Sequence, residues 1–199
     1  MTETLSLFPL NTVLFPGGPL PLRIFESRYL DMVSRCMKED RSFGILLMQS
    51  GSEIGDAKTV AVGTKARITD WYQGSDGLLG VTAIGEDRFR LLNSVRQVDG
   101  LNVGEIERLG TEALQDLPDD YRPLAHILAG VLDDLGKLYQ SLEKNYDDAG
   151  WVAYRFAEIL PITPEQKQSC LETEDPLQRL RMMQEILNSV RGPDGPALA

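Results

Sequence analysis

The period of the apolar residues changes once along this chain, near Gly110, and that change constrains the fold more than any other feature. Before it, short apolar runs alternate with Gly, Pro, Asn and Asp at intervals that suit strands and turns. Residues 5–8 alternate up to Pro9, and residues 20–25 are extended, with prolines that suit a strand start or an edge. Tyr29, Leu30, Met32, Val33, Cys36 and Met37 then recur at helical spacing, which predicts a helix over 27–38. The apolar run 43–48 reads as a buried strand, 49–58 as a loop and 60–72 as a long strand. Gly74-Ser75-Asp76-Gly77 carries the strongest hairpin signal, because glycine accepts the positive φ such turns demand. Strands over 79–84, 88–92 and 101–109 follow, the last after an Asp99-Gly100 turn. Strands at this spacing predict a closed or nearly closed antiparallel barrel carrying one helix.

After Gly110 the spacing is helical. An acidic, proline-containing connection (116–122) leads to a helix over 124–142, with Ile127, Leu128, Val131, Leu132, Leu135 and Leu138 on one stripe. Trp151, Val152, Tyr154, Phe156, Ile159 and Leu160 make a second helix, stopped by Pro161. Thr163-Pro164-Glu165-Gln166 is a capping box with proline at the first helical position, and Asp175-Pro176-Leu177-Gln178 repeats the arrangement. Gly192 is the expected terminator of the last helix. The expected organisation is therefore α+β: a β-rich subdomain over 1–112, a helical bundle over 113–192 and a disordered tail over 193–199.

Charge narrows the function classes. Residues 1–110 carry 12 basic and 14 acidic side chains, whereas 111–199 carry 8 and 16. An acidic surface repels phosphate backbones and anionic lipid, so neither nucleic acid nor membrane is an expected partner. No apolar run approaches the roughly 20 residues a membrane helix needs. Met1-Thr2-Glu3-Thr4 has no positive leader region, so no secretion signal is expected. Cys36 and Cys170 lie far apart and have no partner at metal-ligand spacing, which suits two reduced thiols in a cytoplasm.

No catalytic residue, metal ligand or cofactor site emerges. His126 is the sole histidine, and no nucleophile-elbow signature accompanies it. Asp133-Asp134 and Asp147-Asp148 are adjacent pairs that diverge on a helix and read as solvated faces. The stretch from Gly130 to Leu138 is a poor phosphate loop: it has five residues between its glycines where four are needed, and Leu138 stands in the place of the magnesium-binding hydroxyl. Arg88, Arg90 and Arg96 beside Phe89 offer a small basic-aromatic face, the basis of an alternative RNA-binding reading. An uncharacterised hydrolase using His126 or clustered carboxylates is the other alternative.

The distinctive segment lies between Leu5 and Tyr29. Pro9-Leu10, Leu14-Phe15-Pro16-Gly17, Pro21-Leu22, Ile24-Phe25-Glu26 and Arg28-Tyr29 form an ordered set of motifs. Phe43-Gly44, Val62-Gly63-Thr64 with Ala66 and Ile68, Asp76-Gly77, and Gly85 with Arg88-Phe89 continue it. Leu160-Pro161 and the stretch from Asp175 to Leu180 complete it. Over about residues 3–190 this set resembles the LON substrate-binding domain, the amino-terminal part of the Lon proteases. The resemblance implies a PUA-like pseudobarrel followed by helices, and it implies engagement of polypeptide. These 199 residues hold neither the ATPase nor the Ser-Lys protease module that follows the domain in Lon proteases. The expectation is a non-catalytic binding module for unfolded protein or a specific protein partner, needing no cofactor. Phe15, Phe25 and Tyr29 read first as core residues. The candidate polypeptide contacts are Phe15 and Pro16 at the first turn, and Trp71 and Tyr72 ahead of the hairpin. There a partner segment can add to a sheet edge or lay an apolar face into a cleft.

Overall fold

A computed structural model describes residues 2–50, 58–140 and 142–191. By internal contacts the chain divides into two compact units, Met1–Thr111 and Glu112–Ala199.

The first unit holds seven strands and one helix: β1 (Thr2–Leu10), β2 (Pro19–Ile24), α1 (Ser27–Glu39), β3 (Phe43–Ser50), β4 (Lys58–Thr59), β5 (Val62–Gln73), β6 (Leu79–Arg96) and β7 (Asn102–Arg108). Hydrogen bonding runs β1-β7-β6-β5-β3, and β3 returns to β1, so five strands close a ring. The closing pair is parallel, from Leu7 opposite Gly44 to Leu10 opposite Leu47, where the sequence led us to expect antiparallel strands throughout. Phe89, Ile106, Leu7 and Leu46 are enclosed, and α1 covers a second apolar cluster containing Phe8, Ile24, Tyr29, Met32, Val81 and Leu101. Each such side chain contributes about 1.5–3 kcal/mol relative to exposure.

Two expectations about strands need correction. Pro9 does not end β1. Odd-numbered residues of β1 bond toward β7, whose ladder stops opposite Leu7, so the amide that Pro9 lacks faces no partner strand. The expected strands 79–84 and 88–92 are one 18-residue strand, because Gly85 and Arg88 both stay paired with β5 and Glu86-Asp87 are accommodated between them as a bulge. β6 thereby serves β2 with its first half and β7 with its second. The expected loop over 49–58 is also shortened: β3 runs through Ser50 and β4 begins at Lys58, while 51–57 lie outside the described residues.

The second unit contains α2 (Arg122–Asp134), α3 (Lys137–Gln140), α4 (Ala149–Ile159), α5 (Pro164–Glu172) and α6 (Pro176–Arg191), with a short 3-10 turn at Asp119–Tyr121. The helix expected over 124–142 breaks at Gly136, whose φ of 73° is left-handed. The capping box at Thr163 forms in full, with Gln166 N–H donating to Thr163 Oγ1 and Thr163 N–H to Gln166 Oε1. At the next start Leu177 N–H donates to Asp175 Oδ1. Gly192 and the tail expected over 193–199 lie outside the described residues.

Candidate functional site

Where β2 meets α1, a cleft of about 190 Å³ opens to solvent. Its lining includes Phe8 and Tyr29, stacked with ring centroids 3.9 Å apart, and Leu22 and Ile24 from β2. Phe25 also lines it and is 55% exposed. Strand alternation explains that exposure: Leu22 and Ile24 turn inward, so the next residue turns out. Phe25 is thus not the core residue expected, whereas Tyr29 is buried.

The motif residues that follow brace the cleft. Arg28, almost fully buried, donates from Nη1 to the Gly100 carbonyl at 2.7 Å and pairs with Glu26 at 2.9 Å. Its guanidinium lies 4.6 Å from the centre of the Tyr29 ring. One arginine therefore ties the start of α1 to the β6–β7 turn and orients both Glu26 and Tyr29. An apolar cavity of about 150 Å³ accepts benzene. This cleft has room for one side chain of that size.

The four candidate contacts do not come together. Phe15 has no exposed surface, because its turn folds inward and packs its backbone against Gly85, so its ring is not a contact. Pro16 beside it is partly exposed. Trp71 and Tyr72 are 60% and 48% exposed but point to opposite faces of β5. Trp71 shares a rung with Val81 and Leu22, the face that lines the cleft. Tyr72 lies over Gly80 on the other face, on the rung of Arg23.

Both exposed strand edges beside these residues are guarded. The bond from Gly85 N–H to the Gly18 carbonyl sets the phase of β2, so Leu20, Leu22 and Ile24 bond toward β6. The backbone of Pro19, Pro21 and Arg23 faces outward, and only Arg23 has an amide to offer there. On β5 the bond from Gly74 N–H to the Leu78 carbonyl sets the phase, and the outward amide of Trp71 is already taken by Asp70 Oδ1 at 2.8 Å. Few outward amides therefore remain on these edges, those of Arg23 and Gln73, which favours docking through side chains over an added strand.

The alternative chemistries find little support. Phe89 and Arg88 are buried, which removes the stacking platform of the RNA-binding reading. His126 is exposed on α2. Cys36 and Cys170 are free and buried, and burial pushes the Cys170 thiol up to about 12. Among the described residues no group of His, Cys, Asp and Glu could hold a metal ion, and no helix is long and apolar enough to cross a membrane.

The family model for the ATP-dependent protease La (LON) substrate-binding domain matches residues 4–189. The chain belongs to the LON substrate-binding domain family. A crystal structure of a Lon N-terminal domain protein from Xanthomonas campestris matches with a TM-score of 0.76 at 36% identity, over 92% of this chain and 98% of that one. Lon protease 2 of Myxococcus xanthus is 26% identical over 95% of this chain and 24% of its own length. The N-terminal domain of the Mycobacterium avium complex Lon protease, 16% identical with a TM-score of 0.64 over 92% of this chain and 97% of that one, shares the fold. This LON chain spans about a quarter of the length of the curated relatives it matches. The domain matched is a substrate-binding one, not a catalytic one. In this chain Phe25, Glu26 and Tyr29 line the cleft, and Arg28 braces it. Sequence reasoning missed this role, although the inward alternation of Leu20, Leu22 and Ile24 already implied an outward Phe25.

Proposed function

We propose that this LON domain is a non-catalytic polypeptide-binding module that holds apolar side chains of unfolded or partner protein. The observation that carries the proposal is the cleft lined by Phe8, Leu22, Ile24 and Tyr29, with the exposed Phe25 in its wall, in a domain of the substrate-binding family. Trp71, on the same sheet face, supplies a second contact, and Tyr72, on the opposite face, contributes less. Two free, buried thiols suit action in a cytoplasm.

Reduced, carboxymethylated α-lactalbumin, which cannot refold, is a suitable probe. Fluorescence anisotropy should show saturable binding. Phe25→Asp should weaken it roughly tenfold or more, in the range of a buried aromatic contact. Trp71→Ala should weaken it several-fold and Tyr72→Ala less. Unchanged affinity in Phe25→Asp, or turnover of the probe by the pure protein, would overturn the proposal.

A further inference from the structure

The ring of strands has a gap. β1 pairs with β3 only from Leu7 onward, while its first half, Thr2 to Ser6, is registered against β7 alone. Upstream of Phe43 the chain leaves the sheet for α1, turning at Asp40, whose φ is 49°. The place that an earlier stretch of β3 would fill is a cavity of about 460 Å³. Glu3 to Ser6, Cys36 and Lys65 are among its lining residues.

The phase of the ladders shows what β1 presents there. Leu109 N–H donates to the Arg88 carbonyl and Gln97 N–H to the Leu101 carbonyl, so the odd residues of β7 bond toward β6 and the even ones toward β1. Asn102, Gly104 and Ile106 face Leu7, Leu5 and Glu3, so these three β1 residues spend their backbone groups on β7. The backbone of Thr4 and the amide of Ser6 therefore face the cavity, in phase with Phe8 and Leu10, which bond toward β3, while the Ser6 carbonyl is met by the Gly44 amide at the first β1–β3 rung. Neither guard found on the other edges occurs here: no proline stands at positions 4 or 6.

We infer that this gap is a second subsite, in which three or four residues of an extended polypeptide pair with the Thr4–Ser6 edge of β1 and take the place of the missing upstream part of β3. The inference rests on the polypeptide-binding function proposed above and adds to it a backbone-reading site. The occupant is an extended main chain because the wall offers alternating amides and carbonyls at strand spacing. At about 3.3 Å per residue, the four positions from Glu3 to Ser6 span roughly 13 Å. Glu3 and Lys65 are already paired at 3.0 Å, so the lining selects little by charge. Recognition of main chain without a demanding side-chain code suits a module that meets many sequences.

Hydrogen exchange on the full chain, with and without saturating reduced, carboxymethylated α-lactalbumin, tests this directly. The Thr4 and Ser6 amides should slow by about tenfold or more on binding. Ser6→Pro deletes an amide that no strand uses, so it should leave the thermal transition nearly unchanged and weaken the probe roughly fivefold, the worth of about one hydrogen bond. Ser6→Thr should bind as the parent does. The probe should also shield Cys36 from alkylation; Cys170, fully buried, serves as the internal reference. Unaltered exchange at Thr4 and Ser6, while Phe25→Asp still abolishes binding, overturns the subsite and leaves the cleft standing. Absence of binding by the parent protein overturns both. Protection that grows with the protein's own concentration and without probe marks a second copy of this chain as the occupant, and also overturns the inference.

Discussion

In Met1–Thr111 the core clusters are apolar, and two of the nearly buried cations, Lys65 and Arg28, pair with carboxylates that keep some exposure: Glu3 at 30% and Glu26 at 18%. In Glu112–Ala199 two arginines have no exposed surface at all. Arg179 grips Glu112 with both terminal nitrogens and lies 3.8 Å from the centre of the Tyr154 ring, and Arg155 pairs with Glu158 at 3.0 Å. Tyr139 closes the second group by donating to Glu158 Oε1. The first unit thus depends on ladder phase and close backbone approach, the second on ionic groups whose partners cannot be removed cheaply. The exposed apolar and edge features that suit binding lie in the first, where Lys65 and Arg28 keep carboxylate partners within reach of solvent.

The largest effect that would separate the units is Arg179→Ala. It leaves Glu112 without its bidentate partner and opens a cavity beside Tyr154, an expected loss of about 3–5 kcal/mol. The chain's two tryptophans fall one in each unit, so denaturant unfolding followed through Trp151, in a Trp71→Phe background, reads the second unit, and the reverse pairing reads the first. Equal shifts at both reporters would break the contrast. Gly85→Ala is the counterpart in the first unit. A Cβ there runs into the carbonyl of Phe15, whose turn cannot withdraw without exposing a fully buried ring. The expected cost is about 1–3 kcal/mol, seen at Trp71. A neutral Gly85→Ala would mean that the turn relaxes freely and that the buried placement of Phe15 is not fixed by this approach.

The same contrast separates what sequence reading could and could not see. Thr163-Pro164-Glu165-Gln166 specifies its cap within four residues, and it forms as expected. The α1 periodicity is equally local. Arg179 and Glu112 are 67 positions apart, and no short-range pattern links them. The break expected between residues 84 and 88 proves to be a bulge at Glu86-Asp87, visible only once Gly85 and Arg88 are paired with β5. Phe15 reads as core from its motif, and it is core, but the close approach of its carbonyl to Gly85 that holds it there is long-range. The parallel closure of the ring was hidden for the same reason, since it joins segments with α1 between them. The cleft was half legible: its motif residues stood out, but their arrangement around Arg28 depends on the distant Gly100 carbonyl.

The finest test of the contrast is acidity, because one carboxylate in each unit shifts in the opposite direction. Burial works to raise Glu3, but hydrogen bonds from Lys65 and Arg108, with their charges, outweigh it and hold the group below its ordinary 4.5. Burial also acts on Glu158, and there it wins over the charge of Arg155 and the hydrogen bond from Tyr139, so the group is raised. A depressed carboxylate stabilises above its unfolded pKa, and that contribution is lost as pH falls through the folded value; a raised one stabilises below its unfolded pKa and loses that as pH climbs through the folded value. Acidification from neutrality should therefore remove stability that Glu3 supplies at the Trp71 transition and restore stability that Glu158 withholds at the Trp151 transition. Glu3→Gln isolates the first half. It should cost about 1 kcal/mol at pH 7, the scale of a partly exposed charge-assisted bond, and less at pH 3, because the depressed carboxyl's contribution is lost as pH falls toward its folded value. The same loss at both pH values would show that Glu3 acts through shape and not charge, and the first unit would then owe no measurable stability to its ion pairs.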